Sequence, residues 1–65
     1  MKNKVRILRE ALGLTQAELG KLAGVSRQAI NAIETGKFDP SIHLAYSLSK
    51  IFSKTIEEVF DFEDN

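Results

Sequence analysis

Apolar positions fall at helical intervals along almost the whole chain, and the polar positions between them supply the stops and starts. Val5, Leu8 and Leu12 recur three and four residues apart and predict a first helix, which Gly13 stops by tolerating positive φ. Thr15-Gln16-Ala17-Glu18 is a capping box. Its Thr15 hydroxyl and Glu18 carboxylate satisfy free amides at the start of a second helix, with Leu19, Leu22 and Ala23 inward. Gly24-Val25-Ser26 is a three-residue turn, and Ser26 caps a third helix from Arg27 to about Thr35, ended by Gly36. Asp39-Pro40 makes a turn, and Ser41 caps a fourth helix with Ile42, Leu44, Ala45, Leu48, Ile51 and Phe52 inside. Thr55-Ile56-Glu57-Glu58 is a second capping box, opening one final short turn of helix. The pattern predicts an all-α bundle of five helices in a single domain spanning residues 1–65.

The third helix carries two different faces. Ile30 and Ile33 point one way, while Arg27, Gln28 and Asn31 share the other, since Asn31 follows them by four and three residues. A helix anchored by buried aliphatics and fronted by such donors and acceptors suits the DNA major groove. The Arg27 guanidinium matches guanine O6 and N7, and the Gln28 amide matches adenine. Ala32 is small and apolar, fit to touch a thymine methyl or to leave room. The bland alternative is a solvated helix face. Amides behind the caps Thr15 and Ser26 give two helix N-termini that favour a phosphate, and Lys37 in the next loop adds a further contact. Lys2, Lys4, Arg6 and Lys21 are equally well explained as surface solubility.

The tail has a different period. Val59-Phe60-Asp61-Phe62-Glu63 alternates apolar and acidic, as a half-buried strand does. One strand is not stable alone, and a chain this short has little interior for two phenylalanines. Three coverings are open: the same segment of a second chain, residues 2–5, or the tail's own core. The expectation is a homodimer, with a short C-terminal β-strand pairing across it and residues 56–63 as the dimerisation tail. Ile7, off the Val5/Leu8 stripe, joins Ile56, Val59, Phe60 and Phe62 as the interface.

Charge changes the picture more by its distribution than by its sum. The net charge is zero, yet residues 1–37 hold seven Lys/Arg against three Glu, and residues 38–65 hold two Lys against six acids. One half therefore favours an anion and the other does not. There is no cysteine, which fits a reducing cytoplasm. No apolar run approaches a spanning helix and no charged-then-apolar leader is evident, so a soluble cytoplasmic protein without membrane insertion is expected.

The residues Leu8-Arg9, Gly13-Leu14-Thr15-Gln16, Leu19, Gly24-Val25-Ser26-Arg27-Gln28, Ile33-Glu34, Gly36, Pro40-Ser41 and Glu57-Glu58-Val59-Phe60 stand at characteristic intervals. Together they make the chain resemble the phage-repressor (Xre/Cro-type) helix-turn-helix family along nearly its whole length. Within it, the chain is similar to short stand-alone regulators of the bacterial cytolysin-repressor kind. The resemblance implies a helix-turn-helix at 16–35 with recognition helix 27–34, and a Gln16 that bridges the DNA backbone and steadies that helix. It also implies a structural ion pair between Arg9 and Glu34, and dimers with a small sheet. Two positions depart from the pattern: Gly20 stands where alanine is usual, and Lys54 where an apolar residue is common, which implies a more open loop.

The function expected is a sequence-specific double-stranded DNA-binding regulator, a repressor acting as a homodimer on an inverted repeat. Its DNA-binding residues are Thr15, Gln16, Ser26, Arg27, Gln28, Asn31, Ala32 and Lys37. The alternative is an antitoxin or restriction-controller regulator that also binds a partner protein; a pure protein-interaction module is a third class. No catalytic role is expected, because His43 stands alone on the fourth helix without a nucleophile or carboxylate at a suitable spacing. No metal, cofactor or small-molecule ligand is expected either: the acids after Phe38 lack ligand spacing, and there is no Gly-rich phosphate loop.

Overall fold

The computed structural model describes residues 1–63, so the domain expected over 1–65 extends two residues outside the described ones. Five helices follow in order: α1 (Val5–Ala11), α2 (Gln16–Ala23), α3 (Arg27–Glu34), α4 (Ile42–Ile51) and α5 (Ile56–Val59). Each of the last four begins on a hydroxyl. Thr15 Oγ1 accepts from the Glu18 amide at 3.0 Å while the Thr15 amide donates to Glu18 Oε1 at 2.8 Å, and Thr55 with Glu58 repeats the arrangement. Ser26 and Ser41 accept from the Ala29 and Leu44 amides, both at 3.1 Å. These bonds satisfy amides that the helix itself leaves free. α1 is started differently: Asn3 Oδ1 accepts from the Val5 amide at 3.1 Å.

The core is drawn from every helix and from the residue after the last. Val5, Leu19, Ile30, Ile33 and Leu48 have no exposed surface, and Ala45, Phe52, Val59 and Phe60 complete the cluster. Two residues expected inside, Leu22 and Ile42, are largely exposed, as is Leu12 at the end of the spacing that predicts α1. Leu12 caps α1 beyond its last turn. In α2 the buried face is centred on Leu19 and Gly20, which leaves Leu22 on a flank about 110° from it. Ile42 is the first residue of α4 and overhangs the core at the helix end.

The tail corrects the sequence reading. Val59 and Phe60 are 1% exposed, so neither offers a surface to a second chain. The Lys4 amide donates to the Val59 carbonyl at 2.8 Å and the Asp61 amide to the Lys2 carbonyl at 2.9 Å, around an antiparallel bridge between Asn3 and Phe60. Residues 2–4 of the same chain thus supply the backbone partner, through a single bridge in place of the expected strand, and Phe60 turns into its own core. Ile56 is half-buried against that core, whereas Ile7 and Phe62 remain exposed.

Among the described residues, no helix is long and apolar enough to cross a membrane. The loop containing the exposed Lys54 turns on Ser53, a serine with φ of 56°.

Candidate nucleic-acid interface

The geometry of the interface starts at the turn between α2 and α3. Gly24 closes α2 with φ of 76°, a left-handed conformation that costs glycine little, and the Val25 amide returns to the Gly20 carbonyl at 2.9 Å. A Cβ on Gly20 would lie 2.6 Å from the Val25 carbonyl oxygen. Glycine at this position therefore allows the turn to fold directly onto α2, at the cost of weaker helix propensity.

From that turn α3 projects with its two faces separated. Ile30 and Ile33 are fully buried, and Arg27, Gln28 and Asn31 are all exposed. At about 100° per residue these three side chains span an arc of about 100°. Ala32 is half-buried at the edge of the same face. Thr15 and Ser26 are exposed, and each uses its oxygen as an acceptor for a helix amide; the Thr15 hydroxyl also bonds the Glu18 carboxylate, which leaves the Ser26 hydroxyl proton to donate outward. Lys37 is exposed just beyond α3, where its own amide and that of Phe38 both donate to the Ala32 carbonyl, at 2.9 and 3.2 Å.

Behind this face lies a charged brace. Arg9 Nε donates to Glu34 Oε2 at 2.6 Å and Nη2 to Oε1 at 3.2 Å, while Nη1 reaches the Leu14 carbonyl at 2.8 Å. Gln16 Nε2 donates to Glu34 Oε1 at 3.0 Å. The side chains of Arg9 and Glu34 are only 11% and 3% exposed, so the pair is largely removed from water. The hydrogen bonds to Glu34 hold the Arg9 guanidinium above its ordinary pKa, outweighing the opposing effect of burial. The result ties α1 and the start of α2 to the end of α3. Gln16 is half-buried in this brace, with its amide nitrogen committed to Glu34.

Sequence reasoning missed one member of the support. Asn3 Nδ2 donates to the Ile33 carbonyl at 2.9 Å while its oxygen caps α1, so one side chain links the N-terminal segment to the last turn of α3. An asparagine just before a helix is a capping signal; its long-range partner, 30 residues away, leaves no local trace. Among the described residues, no group of three or more His, Asp or Glu side chains is arranged to hold a metal ion.

Comparison with known proteins gives a consistent set of likenesses. The helix-turn-helix family model matches residues 5–59. An uncharacterized HTH-type transcriptional regulator of Methanocaldococcus jannaschii is 51% identical over 65 residues, covering 100% of this chain and 98% of that protein. The P22 c2 repressor, solved with a synthetic operator, matches with a TM-score of 0.80 at 33% identity, over 83% of this chain and 82% of that one. The restriction-modification controller protein C.AhdI from Aeromonas hydrophila also gives a TM-score of 0.80, at 30% identity over 88% of this chain and 86% of its own.

Proposed function

The chain belongs to the helix-turn-helix family, and from that premise we propose that it is a sequence-specific double-stranded DNA-binding transcriptional regulator, a repressor that occupies an inverted-repeat operator as a homodimer. The observation that carries this reading is the exposed trio Arg27, Gln28 and Asn31 on a helix whose opposite face is locked in the core. Arg27 pairs with guanine, Gln28 with adenine, and Asn31 extends the same contact line. Ala32 borders the groove and limits what a neighbouring base meets. Thr15, Ser26 and Lys37 hold phosphates, joined by the amide ends of α2 and α3. Gln16 acts mainly from behind, keeping Glu34 in place, and the second N–H of its side-chain amide is what a phosphate can use.

A homodimer suits the size of the protomer. Its extents are 29 × 23 × 20 Å, each shorter than one DNA turn of about 34–36 Å, so one protomer reads one half-site and an inverted repeat takes two. Repression then follows from occupancy of a promoter, in the cytoplasm, with no enzymatic step. The alternative is an antitoxin or restriction-controller regulator that also binds a partner protein, and the similarity to C.AhdI supports its restriction-controller form.

The deciding experiment is selection of bound duplexes from a random DNA pool at near-physiological salt. Enrichment of an inverted repeat with half-sites about one helical turn apart is the expected outcome. Binding without an enriched motif, vanishing as salt rises, would reduce the interaction to electrostatic attachment and overturn the proposal.

A further inference from the structure

The last turn of α3 is held from two directions. Most of its carbonyls are satisfied locally: Asn31 accepts from the Thr35 amide at 3.0 Å, and Ala32 from the Lys37 and Phe38 amides. The Ile33 carbonyl accepts from the Gly36 amide at 3.0 Å and also from Asn3 Nδ2 at 2.9 Å, a residue 30 positions earlier. We propose that Asn3 is a positioning residue for DNA recognition, whose side-chain amide couples the pairing of the two chain ends to the C-terminal turn of α3. The proposal rests on the reading of α3 given above and deepens it by naming what holds the far end of the recognition helix.

One half-buried amide does three things at once. Asn3 Oδ1 accepts from the Val5 amide at 3.1 Å, while Nδ2 donates to the Ile33 carbonyl and, at 3.3 Å, to the Met1 carbonyl. With its oxygen and both N–H groups engaged, the side chain has a single orientation. Its backbone is fixed from the opposite side. The Lys4 amide bonds the Val59 carbonyl and the Asp61 amide the Lys2 carbonyl, flanking the bridge between Asn3 and Phe60. A contiguous hydrogen-bonded path therefore runs from the tail through Asn3 to the Ile33 carbonyl. Next to it, Glu34 is gripped by Arg9 through its side chain. A helix end held at one point can pivot about it, and the second hold removes that freedom. The turn so fixed carries Asn31 and, through the Ala32 carbonyl, orients Lys37, whereas Arg27 and Gln28 stand at the other end of α3.

Asn3→Asp separates the two jobs of the side chain. A carboxylate keeps the cap on α1 but sets an acceptor against the Ile33 carbonyl where a donor stood. At a temperature well below melting, affinity for the selected operator is expected to fall roughly tenfold. Preference at the base met by Asn31 should relax, that at the base met by Arg27 should stay, and affinity for random duplex should be unchanged. Asn3→Ser, whose hydroxyl caps α1 and is too short to reach α3, is expected to behave alike and decides the matter if Asn3→Asp fails to fold. Asp61→Pro removes the bond to the Lys2 carbonyl and leaves Phe60 in place, since its φ of −116° and ψ of 135° suit a residue before proline. It should weaken operator binding in the same way, and combined with Asn3→Asp it should cost less than the product of the two effects. Operator and random duplex weakened in equal proportion, or a lowered melting temperature with operator affinity kept, would reduce Asn3 to a structural cap and overturn the proposal. Losses that multiply in the double variant would overturn the coupling to the tail.

Amide hydrogen exchange in the free protein separates this claim from the operator reading. Asn3→Asp is expected to speed exchange at Gly36 and Lys37, which close the end of α3, and to leave the Leu8 amide, bonded to the Lys4 carbonyl in α1, as in wild type. Faster exchange there in a protein that selects no operator would refute the operator reading, and the recognition role with it, while the hold on α3 stands. A selected operator with exchange and base preferences unchanged by Asn3→Asp would refute the hold and leave the operator reading intact.

Discussion

Arg9 and Arg27 are both arginines facing an anion or meant to meet one, and burial separates their roles. Arg9 is nearly enclosed and bidentate to Glu34. Removing one partner of such a pair leaves the other charge desolvated, so Arg9→Ala is expected to cost about 3–5 kcal/mol of folding stability, with DNA binding lost only as the protein unfolds. Thermal melting checks this; a normal melting temperature alongside lost binding would show that Arg9 acts on DNA. Arg27 is exposed and makes no ion pair within the protomer among the described residues. Arg27→Ala should leave stability within about 0.5 kcal/mol and cost about 1–3 kcal/mol of binding, relaxing the preference at one base. A uniform loss over all sequences would make Arg27 a phosphate contact instead.

At the scale of elements, the helix starts carry a pH signature. Hydrogen bonds from the Thr15 and Thr55 amides hold the Glu18 and Glu58 carboxyls below their ordinary pKa, with the threonine hydroxyls adding to the effect. A carboxylate depressed in the folded state stabilises it above the unfolded pKa, about 4.3 for glutamate, and the contribution is lost as pH falls through the lower folded value. Glu18→Gln and Glu58→Gln are therefore expected to be less stable than wild type at neutral pH and to converge with it in acid. Denaturant titrations at a series of pH values read this, and a stability difference independent of pH would dissociate the boxes from carboxylate charge. The turn between α2 and α3 makes a steric prediction. Gly20→Leu drives a side chain against the Val25 carbonyl, so it should cost about 1–3 kcal/mol or more despite leucine's better helix propensity. Equilibrium unfolding in urea reads the cost, and a variant as stable as wild type would show that the turn gives way easily.

For the whole molecule, closure depends on the two ends of the chain meeting. Residues 2–4 pair with 59–61, and Phe60 fills the core that α1 to α4 leave open below. Phe60→Ala is expected to lose about 3–5 kcal/mol, a large share of the stability of any domain this small. Because Phe60 acts within its own protomer, the loss should appear equally in dilute and concentrated samples when followed by urea unfolding. A loss that protein concentration repairs would return Phe60 to an interface between copies.

The order of helices, their hydroxyl caps and the two faces of α3 are legible in the sequence because each is decided within about one helical turn. Thr15 and Glu18, Ser26 and Ala29, Arg27 and Asn31 are neighbours in sequence and in space alike. The tail misleads for the same reason: its alternation of apolar and acidic residues marks a half-buried segment and is silent about what buries it. Only the tertiary structure decides that Phe60 belongs to its own core, that Asn3 reaches Ile33, that Gly20 must clear Val25, and that Leu22 and Ile42 stay outside. Those outcomes depend on how segments pack against one another, where excluded volume chooses among coverings that local chemistry makes equally acceptable.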